Sequence, residues 1–378
     1  MDAVKNVLRR KRKYTMRWRV LCLVALGLTF PSLPGCNLPK MFNLPQMLGR
    51  EPQLQEFASS DRQWTGVAVS RTGRVFVAYP RWSENTPVSV GELLLSGEVV
   101  PFPGPEWNQW HPGLSPANHL VCAQSVVVDS EDFLWILDPA NPQFQGIVFG
   151  GPKLLKVDLS THEVVQRILF DEEAVLPTSY LNDVRIDNQS GYAYLTDSGV
   201  GAILVVELES GKTWRRLESH PSTKSENIEL TIDGKPWVQE GRNPKVHANG
   251  LALDPTGEYL YYQALTGRTL YRVPTRLLRD PSVSEERLAK SVERVGVICA
   301  ADGIEFGPDG RLYLTDVEGS AIKVYEPGKG RRTLLQDNIL AWPDSIAFAP
   351  GGSLVVSTSQ IHLGSEPRGP YRLFRIKP

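Results

Sequence analysis

Six positions combine a residue type and a local pattern that could do chemistry. Thr65, Gln124, Asp183, Asn249, Asp302 and Asp344 each open a short alternating run, which is followed by turn residues and a second apolar run. All six side chains carry oxygen: three carboxylates, two amides and a hydroxyl. If the runs are copies of one unit, those oxygens converge. Carboxylates held together repel, so a cation neutralises them or one of them takes a proton. Oxygen donors without a central cysteine or histidine suit a divalent cation of the Ca2+ or Mg2+ kind, Ca2+ first, rather than zinc. The same Asp and Asn residues also cap hairpin ends by bonding nearby backbone amides, and the sequence leaves both roles open.

Other residues extend the candidate site. His247 lies two positions before Asn249 and either projects into the same region, as a general base near neutral pH, or sits on a surface loop. Asp183 is the other candidate base. Trp82, Trp107, Trp110 and His111 fall at strand ends or in loops where aromatics line apolar pockets, whereas Trp135 and Trp214 read as packing between units. Asp138, Asp197 and Asp316 close second runs and read as turn caps. No G-x-S-x-G, P-loop, H-E-x-x-H or C-x-x-C occurs, so serine hydrolase, NTPase, zincin and cysteine-zinc chemistry have no support.

The elements that must position these residues are hairpins. TGVAVSRTGRVFVAY from Thr65, QSVVVDSEDFLWILD from Gln124 and DVRIDNQSGYAYLTD from Asp183 show the pattern. NGLALDPTGEYLYYQ from Asn249, DGIEFGPDGRLYLTD from Asp302 and DSIAFAPGGSLVVST from Asp344 repeat it, at spacings of 59, 59, 66, 53 and 42 residues. Period-two alternation broken by Gly, Pro, Asp and Asn means antiparallel pairs. Units of this length fit four-stranded blades, so the expected fold is an all-β six-bladed β-propeller. The chain after Asp344 is too short for a full unit. A strand near Gln55 to Ala58 is therefore expected to complete the last blade, which holds Ser345 to Phe348 and Tyr371 to Ile376.

The charge distribution separates a leader from the domain. The chain has 41 basic and 42 acidic side chains, but eight basic residues, Lys5 to Arg19, and one acid, Asp2, fall within residues 1–35. The remainder holds 33 basic against 41 acidic side chains, a charge of −8, which argues against a nucleic-acid partner. The basic stretch precedes an apolar run, Val20 to Phe30, too short for a spanning helix but suited to a signal segment. Leu33-x-Gly35-Cys36 then resembles a bacterial lipobox with Cys36 as the acylated residue. The organisation expected is a signal peptide over 1–35, a tether over 36–53 and the propeller over 54–378. The protein would be exported to the cell envelope or periplasm, or secreted, and would touch a membrane through the anchor or leader alone. Met16 is an alternative start. Cys122 and Cys299 are the cysteines left in the fold, and one disulfide is open to them.

Several segments resemble the yellow/major royal jelly protein family, bacterial members of which are described as related to dopachrome tautomerase. They include VFVAYPRW ending at Trp82, VVPFPGPEWN from Val99, PKLLKVDLSTHEVVQRILF from Pro152, YLNDVRID from Tyr180, AYLTDSGVGAILVVELESGKTWRRLESH from Ala193 and LYYQALTGRTLYRVPTRLLRD from Leu260. The resemblance implies a six-bladed propeller with a small-molecule pocket at one mouth of its channel, and an activity of the tautomerase type. Asn249-Gly250-Leu251 and Asp302-Gly303-Ile304 also look like the metal-binding strand starts of the gluconolactonase/regucalcin propellers. That likeness implies a divalent metal on Asn249 and Asp302 and a lactone hydrolase as the alternative activity; the convergence of the strand starts adds Asp183 as a metal ligand and Thr65, Gln124 and Asp344 as residues facing the ligand. Thr65 stands where those propellers have a glutamate. A binding or scaffold module without catalysis is the third reading.

Overall fold

In a computed structural model, which describes residues 52–84 and 86–377, the repeats form six four-stranded antiparallel sheets. Blade one comprises Val67–Val69, Val75–Ala78, Val90–Leu93 and Val99–Pro101, and blade two Ser125–Val128, Phe133–Asp138, Lys153–Asp158 and Val164–Leu169. Blade three is Leu181–Asp187, Tyr192–Asp197, Ala202–Glu207 and Thr213–Arg216, and blade four Ala248–Leu253, Tyr259–Ala264, Thr269–Pro274 and Glu293–Val297. Blade five is Ala301–Phe306, Leu312–Asp316, Ala321–Glu326 and Gly330–Gln336. Within each blade the first strand is innermost.

Blade six closes the ring as expected. Its inner strands Pro343–Phe348, Leu354–Thr358 and Tyr371–Lys377 are completed by Gln53–Ser60. That strand pairs from Gln53 opposite Lys377 to Ser60 opposite Tyr371, with a bulge between Glu56 and Ala58. Joining the two chain ends in one sheet leaves no blade to open independently.

The core is divided among the blade interfaces, because each sheet must bury both faces against its neighbours. Phe76 and Val90 of blade one meet Leu134 and Ile136 of blade two, and Trp135 of blade two meets Leu195 and Leu204 of blade three. Tyr194 and Ile203 meet Leu251 and Tyr262; Ala252 and Leu270 meet Ile304 and Leu314. Tyr313 and Ile322 meet Ile346 and Phe374, and Val355 and Leu373 of blade six return to Trp64 and Val77. Trp135 and Trp214 therefore pack between blades, as their positions suggested.

The second-strand aspartates hold the loops that frame one mouth of the ring. Asp138 accepts from the backbone of Val121, Cys122 and Ala140 and pairs with Lys153 at 2.7 Å, both side chains fully buried. Asp197 accepts from Tyr180, Gly199 and Val200 and pairs with Arg215 at 2.9 Å. Asp316 accepts from Gly319. The disulfide open to Cys122 and Cys299 is not formed, and both residues are buried free thiols.

Between blades three and four a short hairpin, Thr231–Ile232 with Lys235–Pro236, leaves the ring and crosses towards blades five and six. Leu230, Ile232 and Trp237 bury against Leu265, Ala300, Val317 and Trp342. The tip residue Asp233 pairs with Arg368 at 2.8 Å and with His362 at 2.9 Å.

Deleting residues 53–60 removes the closing strand and the packing of Phe57 and Ala58 on the blade six–one core. At about 1 kcal/mol per lost hydrogen bond, the melting temperature should fall by roughly 5–10 °C or more and the transition should broaden. Calorimetry showing an unchanged, equally sharp transition would refute closure by this strand.

Candidate functional site

The strand pairings fix which residue of each blade stands at the mouth of the channel. Ala248, Ala301 and Pro343 pair with the ends of their second strands, and Leu181 does the same opposite Asp197. The next residue in each case is Asn249, Asp302, Asp344 and, in blade three, Asn182. The turns agree, because Asn182 precedes Asp187 by the same five residues that separate Asn249 from Asp254 and Gln124 from Asp129. The expected placement of Asp183 in this ring is therefore corrected by one residue. Asp183 occupies the position of Gly250, Gly303, Ser125 and Ser345, and it faces the opposite half of the channel.

Gln124, Asn182, Asn249, Asp302 and Asp344 together line a cavity of about 400 Å3. Three amides and two carboxylates converge, where the sequence suggested three carboxylates and two amides. Thr65 does not join them. It is buried and its Oγ1 donates to the Gln124 carbonyl at 3.2 Å, so its role is to stitch blade one to blade two.

The two carboxylates differ in their partners. Asn249 Nδ2 donates to Asp302 Oδ1 at 2.6 Å and Trp342 Nε1 donates to Asp302 Oδ2 at 2.6 Å. A carboxylate must be met by N–H, so this contact fixes the Asn249 amide orientation and leaves its Oδ1 without a donor. Asp344 Oδ2 is also buried without a partner. Burial pushes the Asp302 carboxyl up to about 6, against the donors Trp342 and Asn249. Burial raises Asp344 well above the usual carboxylate range, with the Asp302 charge adding to it. An unpaired buried carboxylate oxygen carries a large desolvation penalty, so the site favours a proton or a bound cation.

Aromatic residues wall the cavity. Trp82 Nε1 donates to the Tyr180 hydroxyl at 2.8 Å, and that hydroxyl donates to Gln124 Oε1 at 2.8 Å. Phe144 and Trp237 complete the wall, and Lys245 stands exposed at the rim. Of the four residues expected here, only Trp82 lines the cavity. Trp107 packs on the core between blades one and two, Trp110 on Cys122 and Ala140, and His111 is exposed. Tyr180, Phe144, Trp237 and Asn182 were missed, although YLN opens blade three as HAN opens blade four.

His247 is not brought to the cavity. Its Nδ1 accepts from the Ser225 backbone at 2.9 Å, and burial, reinforced by Lys224, lowers its pKa to about 4. The ring is neutral at physiological pH and its free lone pair is already used.

Below the ring the channel holds a second cavity, of about 320 Å3, lined by paired charges. Arg185 Nη1 bonds Asp183 Oδ1 at 2.9 Å, its Nη2 donates to the Ile304 carbonyl at 2.7 Å and its Nε lies 2.9 Å from Glu305 Oε2. Ser125 Oγ also donates to Asp183 at 2.9 Å. Asp183 thus has its counter-charge within the protein. Among the described residues no group of three or more His, Cys, Asp and Glu side chains is placed to hold a metal.

The "Major royal jelly protein" family profile matches residues 121–343, more than half of the chain. The chain belongs to that family. Protein yellow of Drosophila erecta is 24% identical over 374 residues, spanning 92% of this chain and 64% of that protein. Protein yellow of Drosophila madeirensis is 22% identical over 371 residues, spanning 91% and 61%. The chain thus spans less than two thirds of the length of these curated relatives. Among solved structures, a gluconolactonase from Xanthomonas campestris superposes with a TM-score of 0.53 at 11% identity, covering 86% of this chain and 90% of that one. The calcium-binding protein regucalcin from Agrobacterium tumefaciens gives 0.50 at 16% identity, covering 85% and 96%. At such identities the superpositions establish the shared propeller fold.

The raised Asp302 carboxyl has a stability consequence with a definite sign. Its ordinary value is 3.8 and its folded value about 6, so the folded state prefers the proton. The ionisation cost is absent below pH 4, grows through pH 6 and is complete above it. Lowering the pH from 7 to 5 should therefore stabilise the wild type relative to Asp302→Asn, as read by paired denaturation curves. A constant difference between the two would show that this carboxyl is not perturbed.

Proposed function

We propose that the protein binds a small amine in the mouth of its channel, with the ammonium beside Asp344 and Asp302 and the remainder against Trp82, Tyr180 and Trp237. One observation carries this reading: a buried, partnerless carboxylate oxygen inside an aromatic-walled cavity. A bound ammonium supplies the missing donor and charge, and charge-assisted bonds of that kind are worth about 1.5–3 kcal/mol. If the protein is also a tautomerase, the chemistry is removal of a proton from carbon beside a carbonyl and its return elsewhere. Asp302 and Asp344 then replace Asp183 and His247 as the proton-moving groups: the Asp302 carboxyl, pushed up to about 6, suits acid–base work near neutrality, and burial beside it favours the protonated form of Asp344.

The unpaired Asn249 Oδ1 favours a second reading, a divalent cation such as Ca2+. Asn182, Asn249, Asp302 and Asp344 are hard oxygen donors and fit such an ion, which when bound would polarise a lactone carbonyl. The missing first-blade glutamate at Thr65 and the presence of only two carboxylates place this second.

Thermal shift decides between them. Tryptamine should raise the melting temperature of the wild type, and Asp344→Asn should weaken its binding about tenfold or more, with Glu163→Gln as an unaffected surface control. A shift with Ca2+ reversed by chelator, and none with tryptamine, would select the metal reading. No shift with either would remove both.

The protein is further proposed to be exported and anchored through Cys36; the leader and that residue lie outside the described residues. Cys36→Ala should move the protein from the membrane to the soluble fraction in a bacterial host, because the acyl chains supply the anchoring energy. Unchanged membrane association would point to an uncleaved leader helix.

A further inference from the structure

We infer that Phe144 is an intramolecular occupant of the ligand site: its ring covers a stacking platform made by Trp82 and Tyr180, and a planar aromatic ring of the ligand displaces it. The inference rests on reading the mouth cavity as a ligand site.

The platform is rigid. Trp82 Nε1, the Tyr180 hydroxyl and Gln124 Oε1 form a chain of two 2.8 Å hydrogen bonds that ends on an inner strand, so both rings are held by a blade start. The Phe144 ring lies 5.5 Å from the Trp82 ring at an interplanar angle of 30° and 5.4 Å from the Tyr180 ring at 28°. These are stacked geometries, and they recur on both rings.

The occupant, by contrast, is poorly held. Phe144 remains 61% exposed, and no core cluster includes it. It follows Gln143 in the left-handed region, at φ 56° and 55°, where a residue with a Cβ pays about 1–2 kcal/mol. A bulky residue adopts this conformation only where something opposes the strain, and the contacts visible around this ring are the two stacked aromatics. The segment's ties are mostly local: Gln145 N–H to the Pro142 carbonyl at 3.1 Å, Gln145 Nε2 to Gln143 Oε1 at 2.8 Å, Gly146 N–H to Asn141 Oδ1 at 3.0 Å and Val148 N–H to the Ala140 carbonyl at 2.8 Å, with Gln143 N–H to the Arg81 carbonyl at 2.8 Å reaching beyond the loop. Gly146, at φ 113°, gives the loop a residue without steric restriction two positions after the aromatic.

The same cavity continues from Phe144 to Asn249, Asp302 and Asp344. A flat ring replacing Phe144 on Trp82 and Tyr180 exchanges one stack for another while its polar group reaches the carboxylates. An aliphatic amine lacks that exchange and leaves Phe144 in place. The arrangement selects for aromatic ligands over aliphatic ones of equal charge.

The test follows chymotryptic cleavage of the Phe144–Gln145 bond by mass spectrometry, in the full domain, with indole and with tryptamine. Displacement predicts that both accelerate this cleavage several-fold, the reverse of ordinary protection by a ligand, and that cyclohexylethylamine does not. Phe144→Ala, which loses only an exposed ring, should bind tryptamine about two- to tenfold more tightly, the worth of one aromatic pair. Cleavage unchanged or slowed by both aromatic probes, or weaker tryptamine binding by Phe144→Ala, overturns the inference. Acceleration by indole without any Asp344-dependent tryptamine binding keeps the displacement and removes the amine reading. An Asp344-dependent tryptamine shift without acceleration does the opposite.

Discussion

The structure depends on one geometric constraint: six inner strands meet at an axis without pairing across it. Each blade is a separate four-stranded sheet, so the first strand of each presents an edge to its neighbours. Ladder bonds are unavailable there, and buried backbone groups must still be satisfied. Side-chain hydroxyls do this. Thr196 donates to the Asn249 carbonyl at 2.6 Å, Thr315 to that of Asp344 at 3.2 Å and Ser357 to that of Thr65 at 2.5 Å. The close approach also excludes side chains. A Cβ on Gly250 would stand 2.5 Å from the Asp302 carbonyl, and one on Gly303 would meet the Asp344 carbonyl. With backbone carbonyls stitched and small residues beneath, the polar heads one position earlier are left crowded and short of partners.

That shortage turns a fold into a site. The aspartates at the ends of the second strands find backbone amides and, in two cases, a buried cation: Lys153 for Asp138 and Arg215 for Asp197. They are structural because their valences are filled. Asp302 has donors on both oxygens, and one of them, Trp342, packs edge-on against Trp237 with ring centroids 4.8 Å apart. The hairpin excursion therefore buttresses the group that holds Asp302. Asp344 has no such support for Oδ2. Neighbouring residues of the same type, set in the same register, thus divide into anchors and a reactive remainder by partner count alone.

Sequence patterning carried the architecture because blade number, strand order and ring closure follow from hydrophobic alternation and turn residues, which are local properties. It also placed Asn249, Asp302, Asp344 and Gln124 in the cavity. It failed at Asp183 for a physical reason: D-V-R and D-G-I both start with an acid before an apolar residue, while the ring position is set by the bulge that precedes the apolar one. Counting back from the turn aspartates Asp187 and Asp254 identifies Asn182 instead. His247 could not be judged from spacing, because its orientation is decided by the Ser225 amide contributed from the loop ahead of the strand. Phe144, Trp237 and Trp342 lie outside the repeats, on excursions whose length carries no period.

The channel divides into two halves of opposite electrostatic character. In the lower half, Arg185 sits between Asp183 and Glu305, so two acids share an internal cation and remain tolerable although burial raises Glu305. Placing an arginine one turn of the pleat below the ring shields that half from needing a ligand. The upper half has two acids, five neutral amides and no cation among the residues lining it except Lys245 at the exposed rim. Its charge is left for a proton or a bound species to balance, and its walls are aromatic rather than ionic. A propeller of this fold can host many chemistries. In this chain counter-charge is filled below and open above, so the upper mouth is the half whose acids the protein itself leaves unbalanced.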